Sequence, residues 1–227
     1  MNSRIIALQI PLPSGDSVSS LLQQPDSVDT CFVFAHGAGA GMEHPFMSDL
    51  AGALALRGVA TLRYQFPFME KGSRRPDLPA IAQGAVRAAV AAAAKELPGV
   101  PLFAGGKSFG GRMASQAQAA APMESVRGLI FVGFPLHGSG KPSSDRARHL
   151  SHVAVPMLFV QGTRDALADL VLMRSCTAAL GRLASLHVVE GADHAFHVLV
   201  RSGRTDRQVI DEMAASIAEW TQARGRA

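Results

Sequence analysis

Gly106-Lys107-Ser108-Phe109-Gly110 sets a serine between two glycines, where a short apolar run (residues 100–104) gives way to a helical segment reaching about Ala120. A serine hydroxyl is a weak nucleophile at neutral pH unless a base takes its proton. A G-x-S-x-G turn between strand and helix exposes the hydroxyl on a strained elbow. Its glycines, Gly106 and Gly110, let the backbone pack closely without Cβ clashes. The helix beginning at Phe109 aims its unpaired N–H groups at charge developing near Ser108. In a chain with 22 glycines the pattern alone is weak, and its strand-to-helix setting gives it weight.

Such a serine needs a histidine later in the chain, oriented by a carboxylate, in the order Ser, acid, His with each partner after a late strand. Asp165 follows the apolar run 156–161 in Gly162-Thr163-Arg164-Asp165, and His194 follows the run 186–190 in Asp193-His194-Ala195-Phe196. Asp169, one helical turn beyond Asp165, and His197, three residues beyond His194, are rivals for the two roles. Asp193 is read as fixing its own loop through side-chain to backbone hydrogen bonds. The pairs His194/His197 and His36/His44 lack further ligands at a recognisable spacing, so no metal is expected.

A tetrahedral intermediate also needs donors for its oxyanion. The Phe109 N–H is one candidate. Ala38, within His36-Gly37-Ala38-Gly39-Ala40-Gly41, is the other, because that glycine-rich backbone is free to aim an N–H inward. The spacing does not match G-x-G-x-x-G, and no Walker lysine follows, so a phosphate loop is set aside. His36 is read chiefly as a loop anchor. His36, Lys107, Phe68 and His137 are the candidates for substrate contact.

These residues require elements that bring distant loops together. Runs 5–12 and 18–22 read as a hairpin around Pro13-Ser14-Gly15-Asp16. Buried strands are expected at 31–35, 59–64, 100–104, 126–134, 156–161 and 186–190, and helices at 45–57, 80–97, 109–120, 167–183 and 206–224. Residues 67–79, polar, basic and proline-bearing, are expected to form a surface loop. The alternation predicts one α/β domain over 1–227, with a mostly parallel sheet of about eight strands.

Composition narrows the function classes. The chain has 227 residues, 48% of them hydrophobic, which is enough to build a core. Cys31 and Cys176 allow one disulfide at most, so a reducing compartment is expected. The longest all-aliphatic stretch, residues 88–94, is far short of the roughly 18 needed to span a bilayer. Residues 1–12 lack the apolar core and cleavage site of a signal peptide, and a cytoplasmic protein is expected. A formal charge of +4, with scattered Lys and Arg and no interleaved aromatics, argues against a nucleic-acid partner. No membrane partner is expected either.

In sequence the chain resembles α/β-hydrolases of the group related to dienelactone hydrolases. More closely it is similar to the hydrolase-like domains of testis-expressed protein 30 and of a non-specific-lethal chromatin-complex subunit, with their bacterial relatives. The resemblance covers nearly the whole chain. It rests on His36-Gly37-Ala38-Gly39, Phe66-Pro67-Phe68-Met69 with Arg74-Arg75-Pro76-Asp77, Gly105 to Gly111, Phe134-Pro135-Leu136-His137 with Gly140-Lys141-Pro142 and His149-Leu150, Gly162 to Asp165, and Asp193 to Phe196. Dienelactone hydrolases carry a cysteine where this chain has Ser108. The resemblance implies an α/β-hydrolase fold and a serine hydrolase, or a relative that has become a binding scaffold, and does not imply a substrate. The Ser108, Asp165 and His194 chemistry itself needs no cofactor and is expected to act on esters or thioesters. With only residues 136–155 between the sixth and seventh strands, little or no lid is expected over a site for small, accessible esters.

Overall fold

Along the central strands, successive side chains enter two different apolar cores, the period-2 pattern of a sheet covered on both faces. In the computed structural model, which describes residues 3–225, Cys31, Val33 and Ala35 of β3 (Thr30–Ala35) face one core and Phe32 and Phe34 the other. Strands β4 (Val59–Tyr64), β5 (Leu102–Lys107), β6 (Val126–Val132) and β7 (Met157–Gly162) divide in the same way. With β1 (Ser3–Pro11), β2 (Ser17–Pro25) and β8 (Ala184–Val189) they form an eight-stranded sheet in the order β1-β2-β4-β3-β5-β6-β7-β8. The β1–β2 and β2–β4 pairs are antiparallel, and every pair from β4–β3 to β7–β8 is parallel.

Parallel neighbours cannot be joined by tight turns, so helices make the crossovers and supply the two covers. The helices are α1 (Pro45–Ala55), α2 (Pro67–Glu70), α3 (Pro79–Glu96), α4 (Phe109–Ala120), α5 (Leu170–Ala179) and α6 (Asp206–Gly225). Helices α1 and α6 close the core that contains Phe32 and Phe103, while α3, α4 and α5 close the other. The buried face of α3 is made of small side chains, Ala82, Ala85, Ala89 and Ala93 with Val86 and Val90, and so small a stripe lets the helix lie close to the sheet. Among the described residues, no helix is long and apolar enough to cross a membrane.

Three departures from the sequence expectation have local causes. The 67–79 loop opens with a turn of helix, because Phe66 and Phe68 are buried anchors and the Phe68 N–H is held by Asp77 Oδ2 at 2.9 Å. Helix α5 begins three residues later than expected, where the Asp169 side chain caps it by accepting from the Leu172 N–H at 3.0 Å. The β6–β7 connection, residues 133–156, carries a 3-10 stretch (Asp145–His152) where the sequence reading assigns no element. Leu150 of that stretch is buried in the core, and His149 Nε2 lies 2.7 Å from Ser115 Oγ of α4, so the segment lies down on α4. Met1, Asn2, Arg226 and Ala227, included in the 1–227 expectation, fall outside the described residues.

Candidate active site

Glycines decide how closely α4 can approach the ends of β3 and β5. A Cβ on Gly110 would stand 2.6 Å from the His36 carbonyl oxygen, and one on Gly106 would overlap the Ala35 carbonyl oxygen. These close contacts leave Ser108 between strand and helix at φ 48°, ψ −110°. It is one of two non-glycine residues with positive φ among those described. Such backbone costs on the order of 1–3 kcal/mol and persists only where the surroundings over-determine it. Ser108 is held by its own N–H donating to the Val132 carbonyl at 3.1 Å and by its carbonyl accepting from the Arg112 N–H at 3.1 Å.

The ends of β5, β7 and β8 deliver three side chains to one place. His194 Nε2 lies 2.9 Å from Ser108 Oγ, and His194 Nδ1 lies 2.7 Å from Asp165 Oδ2. An ionised carboxylate only accepts hydrogen bonds, so Nδ1 carries the proton and Nε2 is left as the acceptor for the serine hydroxyl. The Asp165 side chain is fully shielded from solvent, whereas that of His194 is 26% exposed, toward the pocket. Asp165 Oδ2 also accepts from Gln161 Nε2 at 2.5 Å, and Oδ1 from the Leu167 N–H at 2.8 Å.

Both rivals are engaged elsewhere. Asp169 caps α5, and His197 pairs with Asp206 on the surface at 2.8 Å. Asp193 Oδ1 accepts from the Ala195 and His197 N–H groups at 2.8 and 3.0 Å, fixing the loop that carries His194.

Ser108 and His194 open into a pocket of about 520 Å³ whose wall includes Ala38, Ala40, Phe46 and Met47. Phe109 is the first residue of α4, where helical geometry leaves N–H groups unpaired and the dipole favours negative charge. Ala38 lines the pocket beside Ser108, and a Cβ on neighbouring Gly37 would sit 3.8 Å from the Ser108 Cβ. The glycine-rich loop thus lies directly against the elbow. No residue of the β6–β7 connection is among those lining this pocket.

Of the four expected substrate contacts, three are not at the pocket wall. His36 is buried beneath the loop, with Nε2 accepting from the Phe66 N–H at 3.0 Å and Nδ1 donating to the Gly37 carbonyl at 2.7 Å. Burial pushes its pKa down, in keeping with a neutral ring that anchors the loop. His137 is buried with the same pattern, Nε2 accepting from the Asp169 N–H at 2.9 Å and Nδ1 donating to the Gly138 carbonyl at 2.8 Å. Phe68 belongs to a buried aromatic group with His36 and Phe66, and it meets the half-buried Phe109 edge-on with ring centroids 6.1 Å apart. Only Lys107 lines the pocket, and its ammonium donates to the His194 carbonyl.

Sequence reasoning overlooked Gln161 and Phe46. A glutamine at the end of the apolar run Met157-Leu158-Phe159-Val160 is a signal in itself, since a buried polar side chain there requires a partner. Phe46, at the start of α1, carried no comparable mark.

A family model described as an alpha/beta hydrolase domain matches residues 28–222. Similar solved structures include a dienelactone hydrolase from Anabaena variabilis, 19% identical with a TM-score of 0.76 over 97% of each chain. An α/β serine hydrolase without a lid from Xanthomonas campestris is 20% identical with a TM-score of 0.74, again over 97% of each chain. A serine hydrolase homologue from Coxiella burnetii is 20% identical with a TM-score of 0.72 over 92% of this chain and 96% of its own. At these identities the likeness is one of fold.

Proposed function

Because the chain belongs to the alpha/beta hydrolase domain family, we propose that it is a serine hydrolase that cleaves small, accessible carboxylic esters or thioesters through an acyl-enzyme on Ser108. The observation that carries the reading is the continuous chain of contacts Asp165 Oδ2, His194 Nδ1, His194 Nε2, Ser108 Oγ, at 2.7 and 2.9 Å, running from a buried carboxylate to a serine and imidazole that line the pocket. The similar structures from Xanthomonas and Coxiella, described as serine hydrolases, point the same way.

In the reaction, Ser108 Oγ bonds to the acyl carbon as its proton passes to His194 Nε2. Asp165 stabilises the imidazolium and holds its tautomer. Negative charge moving onto the carbonyl oxygen is met by the Phe109 and Ala38 N–H groups, each such donor being worth about 3–4 kcal/mol in the transition state. Collapse of the intermediate breaks the bond to the alcohol or thiol, which takes the proton from His194. A water, deprotonated by the same imidazole, then releases the acid and restores the serine.

The apolar wall of Ala38, Ala40, Phe46 and Met47 suits a short acyl or alkyl group, and a pocket whose lining, among the described residues, includes none of the β6–β7 connection suits an accessible one. The closer resemblance to testis-expressed protein 30 and the non-specific-lethal subunit belongs to this proposal but names no substrate. The test is turnover of 4-nitrophenyl esters of graded acyl length by wild type and Ser108→Ala. Short esters should be cleaved fastest, and the variant should lose at least about 10⁴-fold in kcat. Equal turnover by the two proteins, or by neither, contradicts the reading and favours a binding scaffold.

A further inference from the structure

Lys107 immediately precedes the proposed nucleophile, yet no step above uses it. Its Nζ donates to the backbone carbonyl of His194, on the far side of the site in sequence. The same Nζ lies 5.2 Å from the ring centroid of Phe196 and 5.9 Å from that of Phe46, and the two rings are stacked 5.7 Å apart. The slot is shaped for the ammonium: a Cβ on Gly133, at the end of β6, would stand 3.0 Å from it. Phe196, at φ 65°, is the second non-glycine residue with positive φ among those described. The strained backbone residues Ser108 and Phe196 therefore stand on either side of one lysine. Phe196 follows His194 by two residues, so whatever holds this ring and the His194 carbonyl also sets where the imidazole points.

We propose that Lys107 is a positioning residue for the acyl-transfer reaction: its ammonium, seated against Phe46 and Phe196, holds the His194 carbonyl and through it keeps the imidazole within reach of Ser108 Oγ. This rests on the reading of Ser108, Asp165 and His194 as the reacting groups. An ammonium donates a stronger hydrogen bond than a neutral amine and is attracted to the ring faces, whereas the amine is not. The titratable groups that face it are His194, whose ring edge borders the same Gly133 space, and the carboxylates Asp165 and Asp193, which favour the ammonium; burial outweighs the carboxylates and brings the lysine down to about 8. Loss of the proton just above neutrality thus weakens both contacts at once. A lysine that only filled space would tolerate an apolar replacement and would give no pH signature.

The experiment follows fluorophosphonate labelling of Ser108 and the kcat and KM for a neutral 4-nitrophenyl ester, from pH ~6 to ~10, in wild type, Lys107→Met and Lys107→Arg, with thermal melts of each. Wild type should lose kcat with a midpoint of about 8. Lys107→Met should be slower by about 10- to 100-fold in labelling and kcat at pH 7, with KM little changed and no alkaline fall. Lys107→Arg, whose guanidinium stays charged throughout, should recover part of the rate and keep it above pH 8. A Lys107→Met protein with wild-type rate and pH profile overturns the proposal while leaving the serine hydrolase reading intact. If Lys107→Met does not fold, a wild-type alkaline fall persisting in Lys107→Arg overturns it, and disappearance of that fall supports it. Failure of wild type to label at Ser108 removes both readings.

Discussion

Asp165 shows how a single carboxylate is committed. Its two oxygens take three donors, the imidazole and Gln161 Nε2 on Oδ2 and the Leu167 N–H on Oδ1, and none of the group is left to solvent. Replacing it with asparagine keeps the volume and an oxygen for the Leu167 N–H but offers the imidazole no obligate acceptor. His194 then has no reason to keep its proton on Nδ1, and Nε2 no longer accepts from Ser108. Asp165→Asn is expected to fold with unchanged secondary structure and to lose about 10⁴-fold in kcat, a fall that initial rates on a short ester would register. A loss of less than tenfold would assign the acid role elsewhere. At this scale the sequence was informative where a residue's chemistry is local and ordered along the chain: Ser108, Asp165 and His194 follow from motif, strand ends and order. His36, read chiefly as a loop anchor, is placed as one, whereas Phe68 and His137 lie off the pocket wall, because a loop neighbour of the site can point into the core as readily as into the pocket, and only packing decides. His36 and His137 are each followed by a glycine whose carbonyl takes the Nδ1 proton, a shared pattern of buried anchoring that the sequence reading recognised for His36 alone.

At the scale of elements, the β6–β7 connection has become packing. The stretch Asp145–His152 lies on α4, the helix that carries the elbow, and His149 makes the polar contact through Ser115. Burial, with Arg112 and His152 nearby, pushes the His149 pKa down to about 4. In the unfolded chain a histidine takes up its proton near 6.5. Between 6.5 and about 4 the unfolded state therefore binds more protons, and stability falls as pH falls through that window. The lowered His36 acts in the same direction. Denaturant unfolding at a series of pH values should show wild type losing stability on acidification and His149→Gln losing measurably less; parallel curves would contradict the assignment. Element type was legible from buried apolar runs and their glycine or proline stops. The short helix α2 and this 3-10 stretch were not, because each is fixed by side chains that reach the core from polar, loop-like sequence, Phe68 in one case and Leu150 in the other.

For the molecule as a whole, the sheet order brings the ends of β3, β5, β7 and β8 to one rim, and everything proposed to react lies on loops leaving that rim. Two of the basic side chains on loops near the site are engaged within the protein: Lys71 pairs with Asp16 at 2.9 Å, and the Lys107 ammonium faces the His194 carbonyl. What recommends the site is its preorganisation, a strained serine already within hydrogen-bond reach of an oriented imidazole. The most direct measurement is peptide mapping by mass spectrometry after treatment with a fluorophosphonate. A single phosphonyl adduct on Ser108 in wild type, lost on denaturation before treatment and lost in His194→Ala, is the expected result. An unmodified wild-type protein, or an adduct on another residue with Ser108 untouched, would contradict the account.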